Sequence, residues 1–194
     1  MSPRSDVDDV PPDPADRAPV VAAARPFRTN QDLDPDGLRK VFGIFPTGVV
    51  AVAAKVDGEL VGLAASSFTS VSLRPPLVSF SVAKASKTWP WLRRARHLGV
   101  TILADHHGPV ARRLAGPAEA RFDGVDVALS GLGAVTLVDG LAQFDTTIYQ
   151  EVQAGDHIIV LLELHAVEHV DTSSPLVFHR SAFSRLHHPT ASST

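Results

Sequence analysis

The stretch 48-GVVAVAAKVDGELVGLAASSFTSVSLRPPLVSFSVAKASKT-88 decides the fold. Its apolar runs 48–55 and 60–66 flank Asp57-Gly58, a dipeptide suited to a tight hairpin turn, so the first two strands are expected to pair antiparallel. A third run, 77–83, follows Arg74-Pro75-Pro76, which breaks the chain before it. Ser66 ends the second run, Ser67, Thr69, Ser70 and Ser72 lie between the second and third, and Ser79 is inside the third.

Outward from this stretch the same grammar repeats. Runs 98–104, 134–138, 141–152, 158–167, 175–178 and 182–186 predict further strands, with a second Asp-Gly turn at Asp139-Gly140. Helices are few. Leu38, Val41, Phe42 and Phe45 recur at helical spacing and predict an amphipathic helix ending at Pro46. Residues 86–97 predict a short helix with Pro90 in its first turn, and 106–116 another closed by Gly116. Strands joined mostly by short turns argue for an antiparallel barrel or curled sheet with small helices plugged into it. A doubly wound parallel sheet would need a long helix between each strand pair.

Composition narrows the rest. At 194 residues the chain fits one domain with a real core. Residues 1–30, rich in Pro, Asp, Ala and Arg without periodicity, are expected to be a disordered tail. The domain then runs over 31–186, and 187–194 form a second tail. The net charge of −3 gives no reason to expect a nucleic-acid or acidic-membrane surface. No stretch approaches the roughly 20 apolar residues of a membrane helix. The absence of cysteine removes thiol nucleophiles, disulfides and cysteine metal sites, and fits an expected cytoplasmic location.

Three segments hold candidate chemistry. The hydroxyls of 66–72 suit the edge of a planar, polar-rimmed ligand, but composition alone favours a half-exposed strand and loop facing water. Lys84-Ala85-Ser86-Lys87-Thr88 precedes a helix; Ser86 is a candidate N-cap, and Lys with hydroxyls there can take a phosphate. Gly155-Asp156-His157 places two titratable groups where a turn enters a strand. No metal site is expected: His165 and His169 lie four apart on a strand, about 13 Å, too far to share an ion. There is no GxSxG, GxGxxG or GxxxxGK[ST] motif, so a nucleotide cofactor needs another device.

The order Phe45-Pro46-Thr47-Gly48, hairpin, SSFTSVSLRPPLVSFSV, KASKT, then GDH before a β-run resembles the flavin reductase-like family over about 36–186. These are FMN-binding split-barrel proteins that include the small reductase components of two-component monooxygenases. The resemblance implies a homodimer of antiparallel split β-barrels, mostly β with short helices, with FMN or FAD in a groove near the subunit interface. It implies that Ser66, Ser67, Phe68 and Thr69 line the isoalloxazine ring, bordered by Pro46 and Thr47. Ser86, Lys87 and Thr88 would hold the phosphate end. Gly155, Asp156 and His157 would face the nicotinamide of NADH or NADPH, with His157 and Asp156 at the reacting side. Ser66 and Thr101 stand where many members carry Asn. The implied activity is an NAD(P)H-dependent flavin reductase serving a flavin-dependent monooxygenase. A flavoprotein that keeps its FMN, as carrier, electron-transfer module or oxidase, and a dimeric interaction domain without flavin remain the alternatives.

Overall fold

The computed structural model describes Thr29, residues 33–170 and residues 173–186. The chain falls into two units, Met1–Pro35 and Asp36–Thr194, and the second carries everything that follows. The expected tails 1–30 and 187–194 lie outside the described residues, Thr29 excepted.

Twelve strands form among the described residues: β1 (Thr47–Gly48), β2 (Val50–Val56), β3 (Glu59–Ala65), β4 (Thr69–Leu73), β5 (Pro76–Ala83), β6 (Leu98–Ile102), β7 (Val127–Leu129), β8 (Val135–Leu137), β9 (Ala142–Ala154), β10 (His157–His169), β11 (Leu176–His179) and β12 (Ala182–Arg185). Seven make one sheet in the order β3-β2-β6-β9-β10-β5-β4, every neighbouring pair antiparallel. The expected β2–β3 hairpin forms in register from Val50–Ala65 to Val56–Glu59. β1, β11 and β12 make a smaller sheet, and β7 with β8 a two-stranded ribbon.

The large sheet is curled. Val52 of β2 and Phe80 of β5 share one core although β6, β9 and β10 lie between their strands. With strands about 4.8 Å apart, a flat sheet would hold them about 19 Å from each other. Inward residues of β2, β5, β6 and β10, including Val50, Val78, Val82, Leu98, Val100, Val160 and Leu162, fill the concave side. Helix α2 (Trp89–Leu92) plugs it with Trp89 and Leu92. Each such buried side chain contributes about 1.5–3 kcal/mol of apolar transfer. The curl does not close by hydrogen bonds: β3 and β4 are the sheet's two ends, joined through Ser66–Phe68.

A second core lies outside β2 and β6, where Val49, Ala51, Leu103, Leu137 and Leu176 pack with Ala111 and Leu114 of α3 (Gly108–Leu114). Here β8 lies directly on β6. A Cβ at Gly99 would strike the Val135 carbonyl, so only glycine permits that approach.

Several elements differ from expectation. Helix α1 spans Pro35–Phe42 instead of reaching Phe45; the Gly43 N–H still bonds the Arg39 carbonyl, and the following residues turn. Its apolar stripe is not buried here, with Val41 60% and Phe42 68% exposed. α2 holds only four residues, with Pro90 in its first turn as expected. The hydroxyl-rich 69–73 takes the strand reading, as an exposed edge strand bulged at Val71 between Ser70 and Ser72. β7 was not foreseen at all.

His107, buried at the head of α3, accepts the Ala104 N–H on Nδ1 at 3.1 Å. Burial, then the neighbouring His106, pushes its pKa below the ordinary 6.5, against smaller opposing effects of a bond to the Val138 backbone, Asp139 and Asp105. Between the folded pKa and 6.5 the unfolded chain binds the extra proton, so this stability is present at neutral pH and lost as pH falls below about 6.5. The urea midpoint should therefore drop between pH 7.5 and 5.5, and drop less in His107→Gln, which keeps an acceptor and does not titrate. Equal slopes in parent and variant would contradict the assignment.

Candidate functional site

Three distant segments meet at the C-terminal end of β5. Ala83 pairs with His157, the first residue of β10. The Lys84 N–H then bonds the Asp156 carbonyl at 2.9 Å, tying the Lys84–Thr88 loop to the β9–β10 turn. Two residues earlier, Ser67 donates its hydroxyl to the Ser81 carbonyl (3.2 Å) and accepts the Ser81 N–H (2.8 Å). That side chain continues the β4–β5 ladder beyond Thr69–Ser79, holding the β3–β4 connection beside the other two segments.

The β9–β10 turn has two central residues, Gly155 and Asp156, between the Ala154–His157 pair. Gly155 takes φ +61°, the left-handed region that a primed turn demands at its first central position. The turn points both following side chains to solvent. His157 Nδ1 lies 2.8 Å from Asp156 Oδ1. That bond first, and the His157 charge second, hold the Asp156 carboxyl below the usual carboxylate value. With Nδ1–H directed at the carboxylate, Nε2 is the nitrogen left for a ligand.

In the Lys84–Thr88 loop the Ser86 hydroxyl accepts the Thr88 N–H (3.3 Å) and the Trp89 N–H (3.1 Å). Ser86 therefore braces the turn that enters α2. The N-cap position itself falls to Thr88, which makes no side-chain cap bond, so the expected Ser86 N-cap is corrected. The same bonds occupy the amides that a phosphate would have used. Side chains remain: Lys84 and Lys87 are exposed and have no carboxylate partner among the described residues. The Thr88 hydroxyl accepts from Arg121 Nη1 at 2.6 Å, which leaves its proton free to donate outward. Arg121 also binds the Gly62 and Gly116 carbonyls, at 2.7 and 3.0 Å, and no carboxylate within the described residues. The donor set is thus cationic and hydroxylic, which fits a phosphate.

Beyond Ser66 a small apolar hollow of about 130 Å³ is lined by Val49, Ala64, Ala65, Ala111, Phe178 and Phe183. Thr47 of β1 pairs with Phe178 at this hollow, and Pro46 precedes it, exposed. Ser66 and Thr69 are exposed on the same connection. Phe68, half-buried on the same connection, packs against the core and stacks on Phe144 at 6.1 Å.

Thr101 does not join these residues. It is fully buried against β8, and its hydroxyl accepts the Leu137 N–H at 3.0 Å. The expectation of a cofactor contact there is corrected: the crossing ribbon needs that acceptor, and β6 faces protein on both sides.

Sequence reasoning missed Arg121 and Glu151. Glu151 of β9 accepts Trp89 Nε1–H at 2.7 Å and Arg93 Nη2–H at 2.6 Å, fastening α2 to the hairpin. Neither residue sits in a motif; each acts across about sixty residues or half that, a separation no local pattern signals. His97 and Asp145, 2.6 Å apart with Ser130 on the other carboxylate oxygen, form a further buried network that anchors the ribbon's loop away from this end.

The flavin reductase like domain model matches residues 42–187. The chain belongs to that family. It is 38% identical over 152 residues to a flavin reductase of Pseudomonas putida, covering 78% of this chain and 89% of that one. To the reductase subunit of a flavin-dependent monooxygenase from Rhodococcus jostii it is 32% identical over 152 residues, 78% of each chain. An NADH:FAD oxidoreductase of Streptomyces globisporus, solved with NAD and FAD fragments, superposes with a TM-score of 0.77 at 32% identity, over 86% of this chain and 99% of that one.

Glu151→Ala should lower unfolding free energy by about 1–3 kcal/mol, because the Trp89 N–H loses its partner inside the protein. Glu151→Gln keeps an acceptor and loses only the half-exposed Arg93 pairing, so it should stay within about 1 kcal/mol of the parent. Denaturant titration measures both; an Ala variant as stable as the parent would contradict the brace.

Proposed function

We propose that this protein is an NAD(P)H-dependent flavin reductase that supplies reduced flavin to a partner monooxygenase. The observation that carries the proposal is the meeting, at the end of β5, of the β3–β4 connection, the Lys84–Thr88 loop and the Gly155–His157 turn, in a chain of this family. Bound flavin would supply the chemistry, accepting a hydride from a dihydronicotinamide. The protein's residues bind and orient. Lys87, Lys84 and the Thr88 hydroxyl take the phosphate, with Ser86 holding the loop in shape. Ser66, Thr69, Thr47 and Pro46 border the ring, and the apolar side chains around Val49 and Phe178 keep water from one side. His157 offers Nε2 at the nicotinamide side while Asp156 fixes the ring's tautomer. It is a positioning group, since hydride transfer asks for no proton at that atom.

The working unit is proposed to be a homodimer. Val41, Phe42, Ile44 and Phe45 leave more than half of each side chain exposed, a cluster that a second copy would cover. The closure of the curled sheet into a split barrel belongs to the same proposal.

With NADH or NADPH and FMN or FAD, purified protein should oxidise the nicotinamide, followed by absorbance. Lys87→Ala should raise the flavin KM roughly 10–100-fold, as expected for a lost charge-assisted hydrogen bond. No oxidation with any of the four combinations would overturn the proposal.

A further inference from the structure

Beyond the phosphate-binding loop lies a cavity of about 630 Å³ that the site described so far does not use. Its volume is within the roughly 300–1,000 Å³ of small-molecule clefts. Lys87 and Thr88 form its near wall, so a chain of atoms continuing from a phosphate held there enters it directly. Arg121 stands beside them with its charge unpaired by carboxylate among the described residues. Trp91 forms another wall and is 51% exposed. The Arg94 guanidinium lies 5.0 Å from the centre of that ring and is itself held by Asp57 at 2.8 Å, which fixes the indole in place. The same cleft is lined by the carboxylates of Glu59 and Glu119, both exposed and neither in an ion pair with a described residue. Glu59 and Glu119 also border an adjoining cavity of about 680 Å³, so the cleft runs on past them.

Cations, an exposed aromatic face and carboxylates thus line one cleft. A second phosphate fits Lys87 and Arg121. A purine stacks on an indole. Ribose hydroxyls and an exocyclic amine donate to carboxylates. We infer that this cleft takes the adenylate half of a dinucleotide flavin, so that the protein prefers FAD to FMN. The inference rests on the flavin reading above and names the ligand of that same site. The adenylate of a nicotinamide dinucleotide has the same chemistry. The cleft shares Lys87 and Thr88 with the phosphate loop and is lined by no residue of the Gly155–His157 turn, which favours the flavin.

The test is fluorescence titration of the full chain with FAD and with FMN, in the parent, Trp91→Ala and Ala118→Trp. Ala118 is exposed and borders both cavities, so a large side chain there fills the cleft without entering the core. The parent should bind FAD at least about tenfold more tightly than FMN. Both variants should bring that ratio toward one. Equal affinities in the parent, or a ratio that survives both substitutions, would overturn the inference and leave the flavin reading standing. A surviving ratio with a raised KM for NADH would assign the cleft to the nicotinamide donor and overturn it equally. Failure of both flavins to bind the parent would overturn the inference together with the reading beneath it.

Discussion

The β9–β10 hairpin holds the molecule together. Its two thirteen-residue strands pair along nearly their whole length, and each lends its other edge to a different part of the sheet. β9 carries β6 from Leu98–Thr146 to Ile102–Ala142, and through it β2 and β3. β10 carries β5 from His157–Ala83 to Glu163–Leu77, and through it β4. Because side chains alternate with a period of two, a one-residue slip of β10 against β5 would turn Val160 and Leu162 out of the core. The register that buries them is the register that sets the Gly155–His157 turn against Lys84. Core packing and site geometry therefore have one origin.

The site is built from side chains on turns, supported by backbone pairing beneath them. Ser67, Ser86 and Glu151 lie in or beside the candidate groove, yet each uses its polar atoms on the protein itself. They hold three loops in mutual position. The groups left over, Lys84, Lys87, the Thr88 hydroxyl, Ser66 and His157, are those with capacity for a ligand. This division explains why so many hydroxyls cluster in 66–88: some shape the loops, and others face outward.

Much of the fold was legible in the sequence because it follows from local chemistry. The Asp57-Gly58 turn between apolar runs, the β-branched runs of β5 and β10, and Pro90 in the first turn of α2 all formed as expected. What was not legible depends on tertiary context. β7 is three residues long and exists because Val127–Leu129 finds β8 to pair with. β6 is buried on both faces, so no alternation revealed that Thr101 points at the crossing ribbon. The stacking of Phe68 on Phe144 likewise joins residues far apart in sequence, which no local pattern announces. The three site segments were recognised, while their convergence came only with the β5–β10 register.

The central claim is that these three segments form one ligand site. Hydrogen exchange followed by mass spectrometry, with and without FMN, tests it most directly. The account predicts added protection in 64–70, 84–92 and 153–158 together, with little change along β7, β8 and β12. Protection of one segment without the other two, or protection centred elsewhere on the sheet, would contradict it.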